Sequence, residues 1–299
     1  MPRLDEIQLR DPFVVVEDGY YHLFGSTDPD IWKADGIGFD AYRGVAPGVL
    51  TELEGPFEVF RPGVGFWSRK NFWAPEVHEW QGVHHLFATF KPIDGRRGTA
   101  ILRSTGGILG PYEPWSDGPV TPAEWECLDG TFHVDDDGRP WMVFCHEWQQ
   151  VGDGTVEAMR LTDDLRAPAS EPVTLFSASQ ALWSAPLTGR APDSYVTDGP
   201  FLYRNAAGVL KCLWSSFGPE GDYRIGEATS SGGVLGPWTQ AAEPVFAADG
   251  GHGMLFDGPD GTRYLAVHTP NATPLERAVF VAVAEDATGS LRATGTIVR

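Results

Sequence analysis

The sequence predicts an all-β fold, a five-bladed β-propeller with about four antiparallel strands per blade. Three observations carry that prediction. One hairpin pattern recurs five times along the chain, and a second Gly-Pro element recurs late in three of the five units. Glycine and proline, 36 and 24 of the 299 residues, break the chain too often for long helices.

The hairpins are read in order as DPFVVVEDGYYHLFGST from Asp11, APEVHEWQGVHHLFATF from Ala74, DGTFHVDDDGRPWMVFCHEW from Asp129, DGPFLYRNAAGVLKCLWSSF from Asp198 and GHGMLFDGPDGTRYLAVHTP from Gly251. Each has a short opening, an apolar strand, a glycine turn and a second, aromatic-rich strand. The turn glycines Gly19, Gly82, Gly138, Gly208 and Gly261 fall 8, 8, 9, 10 and 10 residues after the openings. Successive openings lie 63, 55, 69 and 53 residues apart, which leaves room for two more strands per unit. Those outer strands are marked by GPFEVF at Gly55, GPYEPW at Gly110 and GPWTQ at Gly236. The last two follow near-identical runs, STGGILGP from Ser104 and SSGGVLGP from Ser230. A β-sandwich would not require near-equal repeats of this length, whereas a propeller does. Only Thr121 to Trp125 reads as helical. Nothing marks a linker, so residues 1–299 read as one domain, with the ring expected to close by pairing a strand near Ile7 with Val279 to Ala284.

Composition removes several classes of function. Acids outnumber bases 41 to 22, a formal charge of −19, so neither nucleic acid nor an anionic membrane is expected as a partner. No stretch approaches 18 continuous apolar residues. Cys127, Cys145 and Cys212 are widely spaced and odd in number, and read as buried thiols of a reducing compartment. The opening MPRLDEIQLRDPF has no apolar signal-peptide core, so a cytoplasmic location is expected. These features leave oligomeric state open. Gly-x-Ser-x-Gly, Walker A, H-E-x-x-H and zinc-ligand spacings do not occur.

The first strand of a propeller blade lines the central channel. The openings therefore bring Asp11, Asp129 and Asp198 from blades I, III and IV to one axis, with Glu76 from blade II and His252 from blade V. Carboxylates gathered this way raise one another's pKa and are kept for chemistry or for a cation.

At these openings the sequence resembles glycoside hydrolase family 43 of the five-bladed furanosidase clan. The residues that carry the resemblance are Arg10-Asp11-Pro12, Trp73-Ala74-Pro75-Glu76, Asp129-Gly130-Thr131-Phe132, Val196 to Tyr203 and Gly251 to Phe256. It runs from about residue 10 to 280. The resemblance implies hydrolysis of arabinose and xylose linkages with inversion and no required cofactor. It implies Asp11 as general base and Asp129 as the group that orients the acid and tunes its pKa. Asp198 falls where the family has a glutamate general acid. His252 matches a central histidine that in some members binds water around a structural calcium ion, so Ca2+ in the central channel is the one metal implied.

Asp198 departs from the family pattern, being one methylene shorter than glutamate. Either its backbone sits nearer the axis, or Glu147 or Glu76 is the acid, or acid catalysis is lost and the site only binds sugar. Flat rings stack on sugar C–H faces, which nominates Phe72, Trp73 and Trp148 as subsite residues, with Trp183 in another loop. Arg69 or Lys70 could bond sugar hydroxyls, and Arg277 could reach Asp11 or pair at the surface with Glu276. The expected activity is an inverting, exo-acting α-L-arabinofuranosidase on arabinose-containing oligosaccharides. β-Xylosidase and a non-catalytic sugar-binding propeller are the alternatives.

Overall fold

Five four-stranded antiparallel sheets follow one another in strict sequence order in the computed structural model, which describes residues 1–299 apart from the side chain of Thr296. Blade I holds β1 (Arg10–Glu17), β2 (Tyr20–Ser26), β3 (Phe39–Gly44) and β4 (Leu53–Phe60). Blade II holds β5 (Ser68–Trp80), β6 (Val83–Pro92), β7 (Gly98–Ser104) and β8 (Tyr112–Pro114). Blade III holds β9 (Cys127–Val134), β10 (Pro140–His146), β11 (Thr155–Arg160) and β12 (Val173–Ser177). Blade IV holds β13 (Asp198–Arg204), β14 (Leu210–Phe217), β15 (Tyr223–Ser230) and β16 (Trp238–Gln240). Blade V holds β17 (Gly251–Asp257), β18 (Arg263–Thr269), β19 (Arg277–Glu285) and β20 (Leu291–Val298). The inner strands β1, β5, β9, β13 and β17 pack in turn around the axis, and β17 returns to β1.

The five turn glycines all have φ between 76° and 79°, the left-handed conformation their turns require. Blades I and II turn through two residues, Asp18-Gly19 and Gln81-Gly82, both left-handed, as tight hairpins favour. Blades III, IV and V use a longer turn closed by Asp135–Arg139, Asn205–Val209 and Gly258–Thr262 backbone bonds. Second strands sit between two blades, so they are buried on both faces: every residue from Pro140 to His146 is buried. The STGGILGP and SSGGVLGP runs form matching turns, in which Ser104 and Ser230 each accept an N–H two residues on and donate to a carbonyl three residues on.

The inner strands share a device that composition did not reveal. Each pairs in register with its neighbour up to one residue, then bulges, at Arg10, Trp73, Leu128, Asp198 and Gly251. The residue after each, Asp11, Ala74, Asp129, Gly199 and His252, has φ between 47° and 55°. This corrects the repeat register. Asp11, Asp129 and His252 are equivalent, but Asp198 stands one residue before its blade's bulge, where Arg10 stands in blade I. Counted from the bulge, the turn glycines fall eight residues on in blades I and II and nine in the other three, in step with the two turn lengths.

Two further expectations fail. Thr121 to Trp125 is irregular, and the one α-helix among the described residues is the short α1, Trp148–Val151. The ring does not close by an N-terminal strand laid along Val279 to Ala284, because those residues of β19 pair in ladders with β18 and β20 of their own blade. The seam between blades V and I is an isolated Gln8–Arg277 bridge, the Leu9 N–H on the Glu276 carbonyl, and side-chain contacts.

Candidate active site

Backbone held at positive φ by a residue other than glycine costs about 1–3 kcal/mol and persists where its surroundings fix it. Here the surroundings are the neighbouring blade. Ser26 Oγ accepts the Ala74 N–H at 2.8 Å, Thr89 Oγ1 the Asp129 N–H at 2.9 Å, and Ser215 Oγ the His252 N–H at 2.8 Å. His268 Nδ1 accepts the Asp11 N–H at 3.2 Å, so its ring proton lies on Nε2, 3.4 Å from Asn271 Oδ1. Four of the five bulges are thus held by the second strand of the blade before, and the Gly199 N–H of blade IV goes instead to Asp129 Oδ2 at 3.0 Å.

His252 sits between two of the carboxylates, with Nδ1 3.3 Å from Asp11 Oδ1 and 3.5 Å from Asp129 Oδ2. Burial alone would depress its pKa, but Asp11, Asp129, Glu76 and Asp198 outweigh that and raise it. Burial would raise Asp11, yet His252, Arg10 and the 2.7 Å bond from Ser26 Oγ bring it below the usual carboxylate value. His268 is driven by burial, with Arg10 adding to the effect, down to about 3 and stays neutral. Asp129 is pushed up to about 6 by burial, with Asp11 adding to the effect. Asp198 is pushed up to about 7 by burial and then by Asp129, while Tyr223 donates to its Oδ2 at 2.9 Å. Two carboxyls of one site, Asp11 and Asp198, are therefore driven in opposite directions.

Asp11, Asp129, Asp198, Tyr223 and His252 line a cavity of about 570 Å³ with walls from all five blades. Trp73 and Trp148 line it as the sequence predicts. Trp73 donates to the Ile31 carbonyl at 2.8 Å and has the Arg97 guanidinium 5.3 Å from its ring centre. Glu147 also lines the cavity, but it is bound to Arg97 at 2.5 Å. Burial raises its pKa, and Arg97 opposes that rise.

Other nominated residues are elsewhere. Phe72, 2% exposed, is packed among Phe39, Phe60, Phe66 and Phe90 between blades I and II, so it is a core residue and not a subsite. Adjacent strand residues face opposite sides, and it is Trp73 that turns to the cavity. Glu76 lies three residues past the Trp73 pairing, does not line the cavity, and pairs with His78 at 2.9 Å. Arg277 turns away to the carbonyls of Asp5, Pro274 and Glu276. Trp183 packs at a tilt against Trp214 in the core, and Lys70 pairs with Asp35. His252 Nδ1 faces two carboxylates, and among the described residues no group of three or more His, Cys, Asp or Glu side chains is arranged to hold a metal directly. Calcium takes six to eight oxygen ligands, so these residues do not fit a protein-held calcium ion.

Several cavity residues went unnoticed in the sequence. Arg10, 2.8 Å from the fully buried Glu276, places its guanidinium 5.3 Å from the ring centre of Trp32. Trp32, half exposed on the β2–β3 loop, donates to Thr273 Oγ1 at 3.0 Å and so joins the rims of blades I and V. Tyr223 reaches Asp198 from β15. Arg10 and Tyr223 lie outside the repeat motif's polar positions, and Trp32 lies in the β2–β3 loop, outside the repeated hairpin.

Known proteins match the chain over most of its length. The model of the family "Glycosyl hydrolases family 43" matches residues 6–289. An endo-arabinase from Bacteroides thetaiotaomicron VPI-5482 is 36% identical, with 96% of this chain and 98% of that chain covered and a TM-score of 0.86. An exo-1,5-α-L-arabinanase from a bovine ruminal metagenomic library (18% identity, 97% of each chain, TM-score 0.68) shares the fold. So does an α-L-arabinofuranosidase from Lactobacillus brevis (18% identity, 96% and 94%, TM-score 0.74). No curated protein matches the chain.

Proposed function

The chain belongs to glycosyl hydrolases family 43, and from that premise we propose that it is an inverting, exo-acting α-L-arabinofuranosidase with Asp11 as general base and Asp198 as general acid. The observation that carries this reading is the opposed shift of the two carboxyls, Asp11 lowered and Asp198 raised to about 7. A pair driven apart in this way divides the roles of base and acid.

In this reading ionised Asp11 takes a proton from water as the water oxygen attacks the anomeric carbon. Asp198 gives its proton to the leaving oxygen on the opposite face, and the glycosidic bond breaks with inversion. Inverting enzymes hold the two carboxyls ~6.5–9.5 Å apart to admit that water. The oxocarbenium-like transition state gains from the negative charge around it. Asp129 raises the pKa of Asp198 by its charge, and Tyr223 fixes the carboxyl that must donate. No step uses a metal ion. The preference for arabinose rests on the 36% identity to the endo-arabinase. Exo action is supported by a mouth walled by all five blades and barred between blades I and V by the Trp32–Thr273 bond.

The test is hydrolysis of linear α-1,5-arabino-oligosaccharides by wild type, Asp11→Asn, Asp198→Asn and Glu147→Gln. Loss of about 10²–10⁴-fold is expected for the first two variants, with arabinose as the sole early product of the wild type. Oligosaccharide products would reverse the exo assignment. Activity kept in Asp198→Asn but lost in Glu147→Gln would move the acid to Glu147. Turnover of xylosides alone, or binding without turnover, would favour one of the two other functions.

A further inference from the structure

The ring of inter-blade supports is broken in one place, and the break lies beside the acid. In blades I, II, IV and V the residue of the second strand opposite the bulge is Ser26, Thr89, Ser215 or His268, and each accepts the bulge N–H of the next blade. Blade III has Cys145 at that position, paired with Leu128 as Ser26 is paired with Arg10. Cys145 is fully buried, and a thiol is a weak acceptor. The next bulge N–H, that of Gly199, is taken instead by Asp129 Oδ2 at 3.0 Å.

Blade I shows what the alternative looks like. Ser26 Oγ donates to Asp11 Oδ2 at 2.7 Å while accepting the Ala74 N–H at 2.8 Å, so a hydroxyl relays between its own blade's carboxylate and the next blade's backbone. In blade III the relay is missing, and the carboxylate bonds the next blade directly.

We propose that Cys145 is a positioning residue for acid catalysis: by not taking the Gly199 N–H it leaves that N–H to Asp129, which ties the blade III carboxylate directly to the backbone adjoining Asp198. Gly199 completes the arrangement, since a Cβ there would stand 2.7 Å from the His252 ring. The inference rests on the assignment of Asp198 as the acid.

Replacing Cys145 by serine would restore the relay and set Asp129 back from blade IV. Replacing it by alanine would add no polar group and leave the direct bond in place. Both variants, with Asp198→Asn as reference, are assayed on linear arabinotriose, whose leaving group needs a proton, and on 2,4-dinitrophenyl α-L-arabinofuranoside, whose leaving group does not. Matched xylosides serve if those are what the enzyme turns over.

Cys145→Ser is expected to lower kcat on the triose about tenfold, with KM and aryl turnover within about twofold, and Cys145→Ala to lose clearly less than the serine variant on the triose. Unchanged triose turnover in Cys145→Ser, equal losses in the serine and alanine variants, or equal losses on both substrates would overturn the proposal. Should Cys145→Ser fail to fold, the reciprocal Ser26→Cys decides. Removing the blade I relay should slow both substrates, because the base acts on each, and unchanged rates would overturn the proposal. If Asp198→Asn itself spares the triose, the acid assignment falls and this inference with it. If Asp198→Asn is selective and Cys145→Ser is not, only this inference falls.

Discussion

Asp198 binds its proton more tightly in the folded protein than in the unfolded chain, with a pKa raised from 3.8 to about 7. Between those values the folded state carries more protons than the unfolded one, so this group's contribution to stability is lost as pH rises through that window. Asp198→Asn removes the burden together with the proposed acid. Above pH 7 the variant should melt about 2 °C or more above wild type, and below pH 4 the difference should vanish; thermal unfolding across pH checks both. A variant that melts lower above pH 7 would show that the buried charge is compensated. Wild-type turnover of unactivated linkages should fall as pH rises through about 7, where Asp198 loses its proton.

Side chains that recur with the repeat were legible in the sequence, because the repeat itself brings Asp11, Asp129 and His252 to equivalent places. Side chains placed by one loop or one neighbouring strand, such as Trp32, Arg97 and Tyr223, were not, since no periodicity points to them. Phe72 and Trp73 show the limit most closely. They are adjacent aromatics on one strand, and only the direction of the pleat decides which faces the cavity.

At the scale of the strand, the hairpins were legible because glycine at φ near 78° is a chemical requirement of their turns. The bulge was not, because inserting one residue changes neither composition nor alternation enough to be read. The dipeptide Asp198-Gly199 therefore aligned with Asp129-Gly130 when its glycine is the true counterpart of Asp129. Gly199 is constrained twice, by φ of 51° and by the His252 ring. Gly199→Ala should cost about 1–3 kcal/mol of stability and lower kcat by shifting His252 away from Asp11. Urea unfolding and turnover measured together check this, and a change in stability alone would separate the bulge from the chemistry.

At the scale of the whole molecule, blades V and I meet without sharing a sheet. The seam instead concentrates on Glu276, whose carboxylate holds Arg10 and whose carbonyl holds the Leu9 N–H. Removing one partner of a buried ion pair costs about 3–5 kcal/mol. Glu276→Ala should lose that much by denaturant unfolding, and should raise KM as Arg10 leaves Trp32. A loss of stability equal to that of an exposed substitution would show that the seam is held by apolar packing.

The support of Asp11 by His268 has a temporal side. A chain grows from its N-terminus and tends to fold as it emerges. Asp11 is among the first residues made, while the imidazole that accepts its N–H lies more than 250 residues later. Four finished blades would already hold Asp129 and Asp198 yet leave Asp11 on an unsupported bulge. With Asp11 as the proposed base, competence for water activation is expected to arrive with the last blade rather than to grow blade by blade.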